Sequence, residues 1–495
     1  MLTKSLTERT DLWIDGRWHP TTGDDCLTVI EPSTERAAGR VPAGTSEDVD
    51  RAVAAAAAAF PRWSAAPPKT RVAFLERLLA GLEARADDFT ALACLEVGAP
   101  VTLARALHVG FGLQTVRSYL QVLADYPLEE RLGSSLVVRE PIGVVVCITP
   151  WNLPLALILQ KVVPALAAGC TTVLKPSEVA PLNAFLLADV LADCDLPAGV
   201  FNLVSGDGPG VGEALAAHPL VDMVTLTGST RAGRRVAELA APTTKRVHLE
   251  LGGKNANIIL SDADLASAVR SSVDQLCVNS GQTCLAWSRM FVQDTQHAQA
   301  AALAVEAADS YRVGDPYDPA SDLGPLVSEA ALNRVRRYIG QGIEEGADLR
   351  TGGIDRPADL DRGYYVRPTV FAGVRNDMTL AQEEIFGPVL SIIPYRDTDA
   401  AVRMANTSPY GLHGSVWSGS DHEALAVARR LRTGQVDING APLNFIAPFG
   451  GYRQSGLGRQ CGPYGLDEYH ELKAIQLAAP DALGDIRGSV RLHGA

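Results

Sequence analysis

Clustered metal ligands are absent from this sequence of 495 residues. Its eight cysteines form no CxxC pair, and none of its nine histidines accompanies them in a group. Because zinc sites place Cys and His ligands at short spacings, we expect no metal centre. The scattered cysteines are predicted to be free thiols in a reducing compartment: Cys26, Cys94, Cys147, Cys170, Cys194, Cys277, Cys284 and Cys461.

Long apolar runs and an excess of positive charge are also missing. No apolar stretch reaches the roughly 18 residues needed to cross a bilayer, and residues 1–18 contain no apolar signal core. The net charge of -13 disfavours a surface for nucleic acid or anionic lipid. With 47% hydrophobic and 20% charged residues, the sequence predicts an ordinary globular protein of the cytoplasm, with no nucleic-acid or membrane partner.

The chain is too long for a single hydrophobic core, which predicts two or three domains. No internal repeat or low-complexity linker marks their boundaries. Strands covered on both faces need short apolar runs without polar alternation, so such runs predict a parallel α/β sheet. They occur from about residue 142, separated by helical stretches, at 142–148, 170–175, 200–204, 221–227 and 246–251.

The regions on either side of this sheet have different patterns. Before it, a capping box at Thr45 to Asp48 and helical periodicity over 71–89 predict helices. The run 136–143 follows a polar segment and is predicted to be a strand that leaves the domain. A second α/β unit is predicted from about 253 to 450. Its elements are helices near 295–309 and 421–432 and strands near 388–394 and 435–438.

Two glycine-containing turns are candidates for a phosphate site. The stretch "SGDGPGVG" (205–212) follows a strand, but no reading frame of its glycines gives G-x-G-x-x-G, so Gly208 either contacts a phosphate or forms an ordinary turn. In "LTGSTRAG", Gly228 and Gly233 flank a predicted helix start that Ser229 caps. The N–H groups and dipole of a helix start accept a pyrophosphate, although a capped helix without a ligand has the same pattern.

A lysine and a carboxylate lie at the predicted end of another strand, in "LKPSE". Ligands of an open α/β sheet bind at the carboxyl ends of its strands, where Lys175 and Glu178 would hold ribose hydroxyls. The alternative is a surface charge pair.

The stretch "VNSGQTCLAW" (278–287) places Cys284 in a polar turn, whereas a cysteine used for packing normally lies among apolar residues. In "HLELGGKN", Glu250 ends a strand before two glycines that allow a tight turn. A thiolate attacks carbonyls, and a carboxylate activates water to hydrolyse the thioester that results. The alternatives are an incidental cysteine and a capping glutamate. His248 is predicted to pack within its strand rather than to act as the base.

Together these motifs resemble the aldehyde dehydrogenase superfamily, in particular its NAD(P)-dependent, hydrolytic, non-CoA-acylating members. The resemblance extends over nearly the whole chain and follows the order "PWN" (150–152), "LKPSE" (174–178), "TGSTRAG" (227–233), "LELGGKN" (249–255), "GQTC" (281–284), "EEIFGPV" (383–389) and "PFGGYRQSGLGR" (448–459). It implies an α/β fold with two Rossmann-like parallel-sheet domains and a small β oligomerisation arm. The implied boundaries are 1–122 and 142–252 for the NAD-binding domain, 253–455 for the catalytic domain, and 123–141 with 473–495 for the arm and C-terminal tail.

The resemblance implies a role for each motif residue. Cys284 is the expected nucleophile in surroundings that favour its thiolate, and Glu250 is the expected general base. The Asn152 amide and the Cys284 N–H form the oxyanion hole. Lys161 matches a proton-relay position, its alternative being a helix lysine with an exposed amine. The implied cofactor residues are Ile148, Thr149, Pro150, Trp151, Lys175, Ser177, Glu178, Gly208, Gly228, Ser229, Gly233, Leu251, Gly252, Glu384 and Phe386.

The same resemblance implies the ligands and the assembly. Glu178 favours NAD over NADP, because a carboxylate repels a 2'-phosphate. Asn152, Leu153, Cys277, Leu285 and Phe445 line the expected substrate tunnel, and their apolar character favours an uncharged aliphatic or aromatic aldehyde.

A homodimer or homotetramer is expected because residues 136–138 would expose a strand edge if left alone, whereas such edges are usually paired or covered, and because the tail carries five apolar residues. These are Leu477, Leu483, Ile486, Val490 and Leu492. The alternative is that both segments fold back on their own subunit.

Other functions stay open from sequence. A CoA-acylating relative commonly lacks the base at the position of Glu250, and a semialdehyde-specific relative would differ in its tunnel. A cysteine hydrolase would use Cys284 without a nucleotide. A catalytically retired structural homologue would have no activity at all.

Overall fold

The computed structural model describes residues 3–477. The predicted apolar tail residues Leu483, Ile486, Val490 and Leu492 lie outside the described residues. The strands are β1 (Asp11–Ile14), β2 (Arg17–Pro20), β3 (Cys26–Glu31), β4 (Arg36–Pro42), β5 (Glu129–Leu132), β6 (Ser135–Pro141), β7 (Val144–Ile148), β8 (Thr171–Lys175), β9 (Phe201–Leu203), β10 (Met223–Thr227), β11 (Arg246–Glu250), β12 (Ala256–Ile259), β13 (Arg289–Gln293), β14 (Asp348–Thr351), β15 (Thr369–Ala372), β16 (Val389–Tyr395), β17 (His413–Trp417), β18 (Gln435–Ile438), β19 (Gly456–Leu457) and β20 (His470–Gln476).

The α-helices connect these strands and cover the faces of the sheets. They are α1 (Lys4–Thr7), α2 (Ser46–Ser64), α3 (Pro68–Ala84), α4 (Ala86–Val97), α5 (Val101–Leu103), α6 (Gly110–Asp125), α7 (Pro154–Ala168), α8 (Leu182–Ala192), α9 (Glu213–Ala217), α10 (Thr230–Ala240), α11 (Leu265–Cys277), α12 (His297–Asp309), α13 (Glu329–Glu344), α14 (Thr379–Gln382), α15 (Thr398–Asn406), α16 (Asp421–Ala428) and α17 (Gly462–Asp467). Among the described residues, every helix falls short of the length and apolarity that a membrane span requires.

The first sheet has eight strands in the order β19-β11-β10-β7-β8-β9-β1-β2. Its five inner strands, β7 to β11, run parallel to their neighbours, and β1, β2 and β19 join antiparallel at the two edges. These inner strands coincide with the five apolar runs of the sequence, and β7 and β8 are buried almost throughout because helices cover both faces. The predicted parallel α/β sheet is confirmed.

The second sheet has seven strands in the order β14-β15-β16-β13-β12-β17-β18. All its pairs are parallel except β14 with β15. The helices predicted near 295–309 and 421–432 are α12 and α16, and the two predicted strands are β16 and β18. The chain therefore has the predicted α/β class with two parallel-sheet units, and the domain boundaries stay a prediction.

The N-terminal helices agree with the sequence at their start and differ in their continuity. Thr45 and Asp48 form the predicted capping box at the beginning of α2. The helical pattern over 71–89 belongs to two helices, because Arg85 leaves helical geometry between α3 and α4.

The arm is a three-stranded sheet in which β6 lies between β5 and β20. Residues 136–138 therefore pair on both sides within their own chain, and self-association through the arm stays a prediction. The exposed edges are β5 and β20 instead. Large apolar side chains are exposed on these two strands: Leu132, Leu472 and Ile475.

Candidate active site

Four parallel strands of the first sheet end at a residue that the sequence analysis identified as a site candidate, or directly beside one. These are Ile148 on β7, Lys175 on β8, Thr227 on β10 and Glu250 on β11. Because parallel strands place their carboxyl ends at one edge, the residues that follow them converge on one crevice. Ligands of open α/β sheets bind in such a crevice.

The β7 and β8 ends form one side of the crevice. Lys175 Nζ lies 3.1 Å from Glu178 Oε2. Lys175 is buried and Glu178 is exposed, so the pair is a buried cation with a carboxylate at the surface. The Lys175 carbonyl accepts a hydrogen bond from the Thr149 N–H at 3.1 Å. The hydroxyl of Ser177 accepts one from the Val179 N–H at 3.2 Å.

The start of α10 forms the floor of the crevice. Ser229 is its N-cap and accepts a hydrogen bond from the Ala232 N–H at 3.2 Å, as the sequence predicts. Gly233 brings α10 against Leu251, since a Cβ at that glycine would collide with the leucine side chain. A Cβ at Gly228 would lie 3.6 Å from Leu226 Cδ2, an ordinary contact distance, and the space beside Gly208, which follows β9, is open. An anion therefore has room at this helix start.

Glu384 reaches the crevice from the second parallel-sheet unit. Its Oε1 accepts a hydrogen bond from the Gly253 N–H at 3.0 Å, and a Cβ at Gly252 would collide with its carboxylate. Burial raises the pKa of Glu384, opposed by the Gly253 hydrogen bond and the charges of Arg334 and Lys254. A half-buried carboxylate is thus held by the backbone N–H of Gly253, three residues after Glu250.

Two aromatic rings stand beside Glu384. The ring of Trp151, which follows Pro150, lies 5.5 Å from the ring of Phe386 at an angle of 89°. Phe386 has a φ of 64°, a left-handed conformation that is uncommon for a bulky side chain. The two rings come from different parallel-sheet units and face the same crevice edge.

The turn before Cys284 has an unusual backbone. Asn279, Ser280 and Gly281 are three consecutive residues with positive φ, at 53°, 57° and 75°. Gly281 is required there because a Cβ would also overlap the backbone of Gly387 and Pro388. This turn ends the path of α11 and directs Cys284 away from the helix.

Asn152 is bonded to this turn. Its Nδ2 donates to the Gln282 carbonyl at 3.0 Å, and its own main-chain carbonyl accepts from Asn279 Nδ2 at 2.8 Å. The buried imidazole of His108 lies 3.2 Å from Asn279 Oδ1 through its Nε2. The amide of Asn152 is therefore fixed next to the nucleophile candidate.

The side chain of Cys284 is partly exposed. Burial raises its pKa, and the carboxylates of Glu250 and Glu384 raise it further. Both effects favour the neutral thiol, and reaction of Cys284 as a thiolate stays a prediction. The negative charges of Glu250 and Glu384 act on the thiol, whereas the positive charges of Lys161 and Arg459 act on Glu250.

Glu250 is buried, and its Oε1 has no hydrogen-bond partner among the described residues. Burial raises its pKa to about 8, opposed by the charges of Lys161 and Arg459 and by the Gly451 backbone. Burial also lowers the pKa of Lys161, opposed mainly by Glu250. A carboxylate with a raised pKa and a free oxygen can take up a proton near neutral pH.

Lys161 does not extend its amine to the surface, which excludes the alternative of an exposed helix lysine. Its Nζ donates to Thr225 Oγ1 at 3.2 Å, and that hydroxyl lies 2.9 Å from His248 Nδ1. Burial lowers the pKa of His248 far below its usual value, which agrees with its predicted packing within the strand.

An apolar wall adjoins Cys284. Leu153 packs with Leu157 and Phe111, and the Phe111 ring lies 4.7 Å from the Phe445 ring. Leu285 packs, together with Cys284, against a cluster that contains Cys461.

Cys277 is not part of this wall. It is the last residue of α11 and is buried in the core of the second unit with Leu276 and Trp287. That face of α11 turns toward the sheet, so Cys277 packs in the core rather than lining the tunnel.

Several residues near the site had no role in the sequence analysis. Phe111 and Gln160 lie on helices, where single side chains carry no functional signal. Gln160 is buried, and its Nε2 makes a 3.8 Å contact to Cys461 Sγ. Asn255 lies two residues after the glycine pair that follows Glu250. Its polar side chain at that place was the one sequence feature that could have indicated a role in the site.

Among the described residues, no group of three or more His, Cys, Asp or Glu side chains is arranged to hold a metal ion. The titratable groups of the site are instead a thiol, one buried and one half-buried carboxylate, and a buried amine. This set suits covalent and acid–base chemistry.

Comparisons with known proteins agree with one another. The family described as the aldehyde dehydrogenase family matches residues 18–475. The 3-succinoylsemialdehyde-pyridine dehydrogenase of a Pseudomonas species is 50% identical over 466 residues, which cover 94% of this chain and 98% of that protein.

Solved structures are similarly close. Aldehyde dehydrogenase C of Pseudomonas syringae, a cysteine-to-alanine variant in complex with NAD+ and octanal, superposes with a TM-score of 0.94 at 46% identity, covering 96% of this chain and 98% of that one. An aldehyde dehydrogenase of Mycobacterium tuberculosis in complex with NAD+ gives a TM-score of 0.93 at 42% identity, covering 95% and 98%.

Proposed function

The chain belongs to the aldehyde dehydrogenase family, and we propose that it uses NAD to oxidise an uncharged aldehyde to the carboxylic acid through a thioester on Cys284. The observation that carries this proposal is the convergence of three groups from distant parts of the sequence. Cys284 lies in a turn to which Asn152 is bonded, and Glu250 is close enough to raise the pKa of its thiol.

The crevice suits a dinucleotide such as NAD. The hydroxyls of Thr149 and Thr227 are buried at the ends of β7 and β10 and have no hydrogen-bond partner among the described residues. Lys175 and Glu178 would hold the adenosine ribose, and the capped start of α10 would receive the pyrophosphate. Glu384 would hold the second ribose, with Phe386 beside the nicotinamide ring. The two similar solved proteins bind NAD+, which supports the same cofactor here.

The first step is attack of Cys284 Sγ on the aldehyde carbon, after the thiol has given its proton to the solvent. A carbon–sulfur bond forms, and the carbonyl electron pair moves to oxygen to give a thiohemiacetal anion. One N–H of Asn152 Nδ2 donates to the Gln282 carbonyl. The second N–H of that amide and the Cys284 N–H are therefore the donors for the substrate oxygen. Removing one such donor typically costs roughly 100 to 1000-fold in rate. When bound, NAD+ accepts the hydride that the thiohemiacetal releases, which leaves a thioester.

The second step is hydrolysis of the thioester. Glu250 Oε1 takes a proton from water, the water oxygen attacks the acyl carbon, and the carbon–sulfur bond breaks to return Cys284 and release the acid. The unpartnered oxygen of Glu250 supports this role. Its presence favours water over a thiol such as CoA as the acyl acceptor.

The substrate is proposed to be an uncharged aliphatic or aromatic aldehyde. Leu153, Phe111, Phe445 and Leu285 supply an apolar wall beside Cys284. A relative named for 3-succinoylsemialdehyde-pyridine and a structure that holds octanal support this class. Specificity for one semialdehyde would be a narrower case of the same proposal.

A panel of aldehydes that differ in length, ring and charge tests the proposal, with NADH absorbance as the readout. We expect the highest kcat/KM for uncharged apolar members and no activity in Cys284→Ala, while NAD binding remains. Cys26→Ser, which changes an exposed thiol far along the chain, is the control and should keep full activity. Absence of NADH formation across the panel would favour a retired homologue, and activity without bound nucleotide would favour a cysteine hydrolase.

A further inference from the structure

A buried histidine and a half-buried aspartate lie directly behind the residues that follow Cys284. His413 begins β17, and its Nε2 lies 2.8 Å from Asp437 Oδ2 on the neighbouring strand β18. The imidazole is almost fully buried. Gln435 holds the second carboxylate oxygen of Asp437 through a hydrogen bond of 2.9 Å.

The other nitrogen of His413 faces the nucleophile segment. Its Nδ1 lies 3.2 Å from the indole Nε1 of Trp287 and 3.3 Å from the Leu285 carbonyl oxygen. An indole N–H only donates, so in the neutral imidazole Nδ1 is the acceptor and Nε2 carries the proton toward Asp437. The Asp437 carboxylate therefore stabilises the tautomer in which His413 Nδ1 accepts a hydrogen bond from the Trp287 indole N–H.

The backbone of His413 reaches the same segment through Asn255. The His413 N–H donates to Asn255 Oδ1 at 3.1 Å. Asn255 Nδ2 in turn donates to the carbonyls of Cys284, at 2.7 Å, and Ala286, at 3.0 Å. Residues 284 to 287 are thus held from one strand end by both the main chain and the side chain of His413.

We interpret this arrangement as positioning the nucleophile rather than as stabilising the fold. A charged side chain that is largely removed from water is often no more stabilising, even with a hydrogen-bond partner, than apolar residues of the same volume, because both partners lose their hydration. The proposed chemistry uses Cys284, Asn152 and Glu250, and the backbone before Cys284 is fixed by Gly281. What fixes the backbone after Cys284 is the cluster of His413, Asp437, Trp287 and Asn255.

We propose that His413 and Asp437 are positioning residues for the proposed reaction, which hold the Cys284 thiol and N–H in reacting geometry through Trp287 and Asn255. The inference rests on the proposed function. Misplacement of a reacting group by about 1 Å costs on the order of 100-fold in rate. The effect should therefore appear in kcat and in thiol reactivity more than in substrate binding.

The test uses His413→Ala and Asp437→Asn in the full-length protein. We expect His413→Ala to lower kcat with octanal by roughly 10 to 100-fold with KM within about threefold. It should also slow alkylation of Cys284 by iodoacetamide, and added imidazole should restore part of both rates. Asp437→Asn keeps a hydrogen-bond acceptor and should lose less. Ser418→Ala is the matched control, because it removes hydrogen bonds to Asp262 just beyond the opposite end of β17.

Three outcomes overturn the proposal: an unchanged kcat and alkylation rate, a loss equal to that of Ser418→Ala, or a loss that imidazole does not relieve. If His413→Ala does not fold, His413→Gln takes its place in the same measurements. If even the unmodified protein oxidises no aldehyde, the proposed function fails. The alkylation rates still decide whether His413 positions the thiol.

Discussion

The side-chain amide of Asn152 donates a hydrogen bond from Nδ2 to the main-chain carbonyl oxygen of Gln282, 3.0 Å away. Asn152 follows β7 of the first sheet, and Gln282 belongs to the turn that presents Cys284. The contact therefore ties the proposed oxyanion donor to the nucleophile across two sheets. It uses one of the two amide N–H groups and leaves the other for substrate.

Asn152→Ala should lower kcat by roughly 100 to 1000-fold, because the oxyanion loses a donor. NAD binding, measured by fluorescence titration, should stay within about twofold, since the amide is assigned to the reacting oxygen. Asn279→Ala is the comparison variant. It removes the support of the Asn152 carbonyl and keeps the Asn152 amide. Equal losses in the two variants would mean that Asn152 acts only as part of the scaffold.

Glu250→Gln should separate the two halves of the reaction. Hydride transfer precedes the water step, so rapid mixing should give a burst of about one NADH per active site followed by slow turnover. Glu96→Gln makes the same change at a buried carboxylate that accepts hydrogen bonds from Leu182 and Asn183, and it should give no burst. Full steady-state activity in Glu250→Gln would assign deacylation to another base.

The pH profile should reflect the environment of Glu250. A general base acts when deprotonated, and burial raises the pKa of Glu250 to about 8, so kcat limited by deacylation should rise with pH and level off above that value. The charge of Lys161 lowers this pKa, so Lys161→Met should move the rise to higher pH.

Thr225→Val removes the hydrogen bond of Lys161 and keeps its charge, so it should move the profile less. A profile of Lys161→Met that stays in place, or moves to lower pH, would contradict the assignment.

Cofactor choice should depend on Glu178. Its carboxylate beside Lys175 would accept ribose hydroxyls and repel a 2'-phosphate, so kcat/KM should favour NAD moderately over NADP. Glu178→Gln should reduce that ratio mainly by improving use of NADP. The same ratio in both proteins, or equal use of the two cofactors by the unmodified protein, would refute the role.

Self-association is expected through the arm, although β6 is paired within its own chain. The open strands β5 and β20 expose Leu132, Leu472 and Ile475, and exposed apolar edges are usually paired or covered. Sedimentation equilibrium should give the mass of two or four chains, and Leu472→Glu should lower it. Glu471→Lys alters charge at the adjacent position as a control. A single species of 52.4 kDa for the unmodified protein would reject the prediction.

The sequence by itself determined the two parallel sheets and indicated Cys284 and Glu250 as the proposed nucleophile and base. Apolar runs of strand length specify strands buried on both faces, and this information is local. Cys284 and Glu250 are also recognised locally, because each stands beside glycines that turn the chain outward from an element. The capping box of Thr45 and Asp48 is local in the same sense.

Only the tertiary structure decided what surrounds these residues. The pKa of Cys284 depends on Glu250 and Glu384, which are distant from each other in sequence. His108 and Asn279 lie 171 residues apart and still share a hydrogen bond at the nucleophile turn. Cys277 ends the same helix that leads to Cys284, yet it faces the core, and β6 has a partner in β20 that no local pattern indicates. Local patterns set backbone conformation, whereas charge, burial and strand partners depend on groups that only folding brings within a few ångströms.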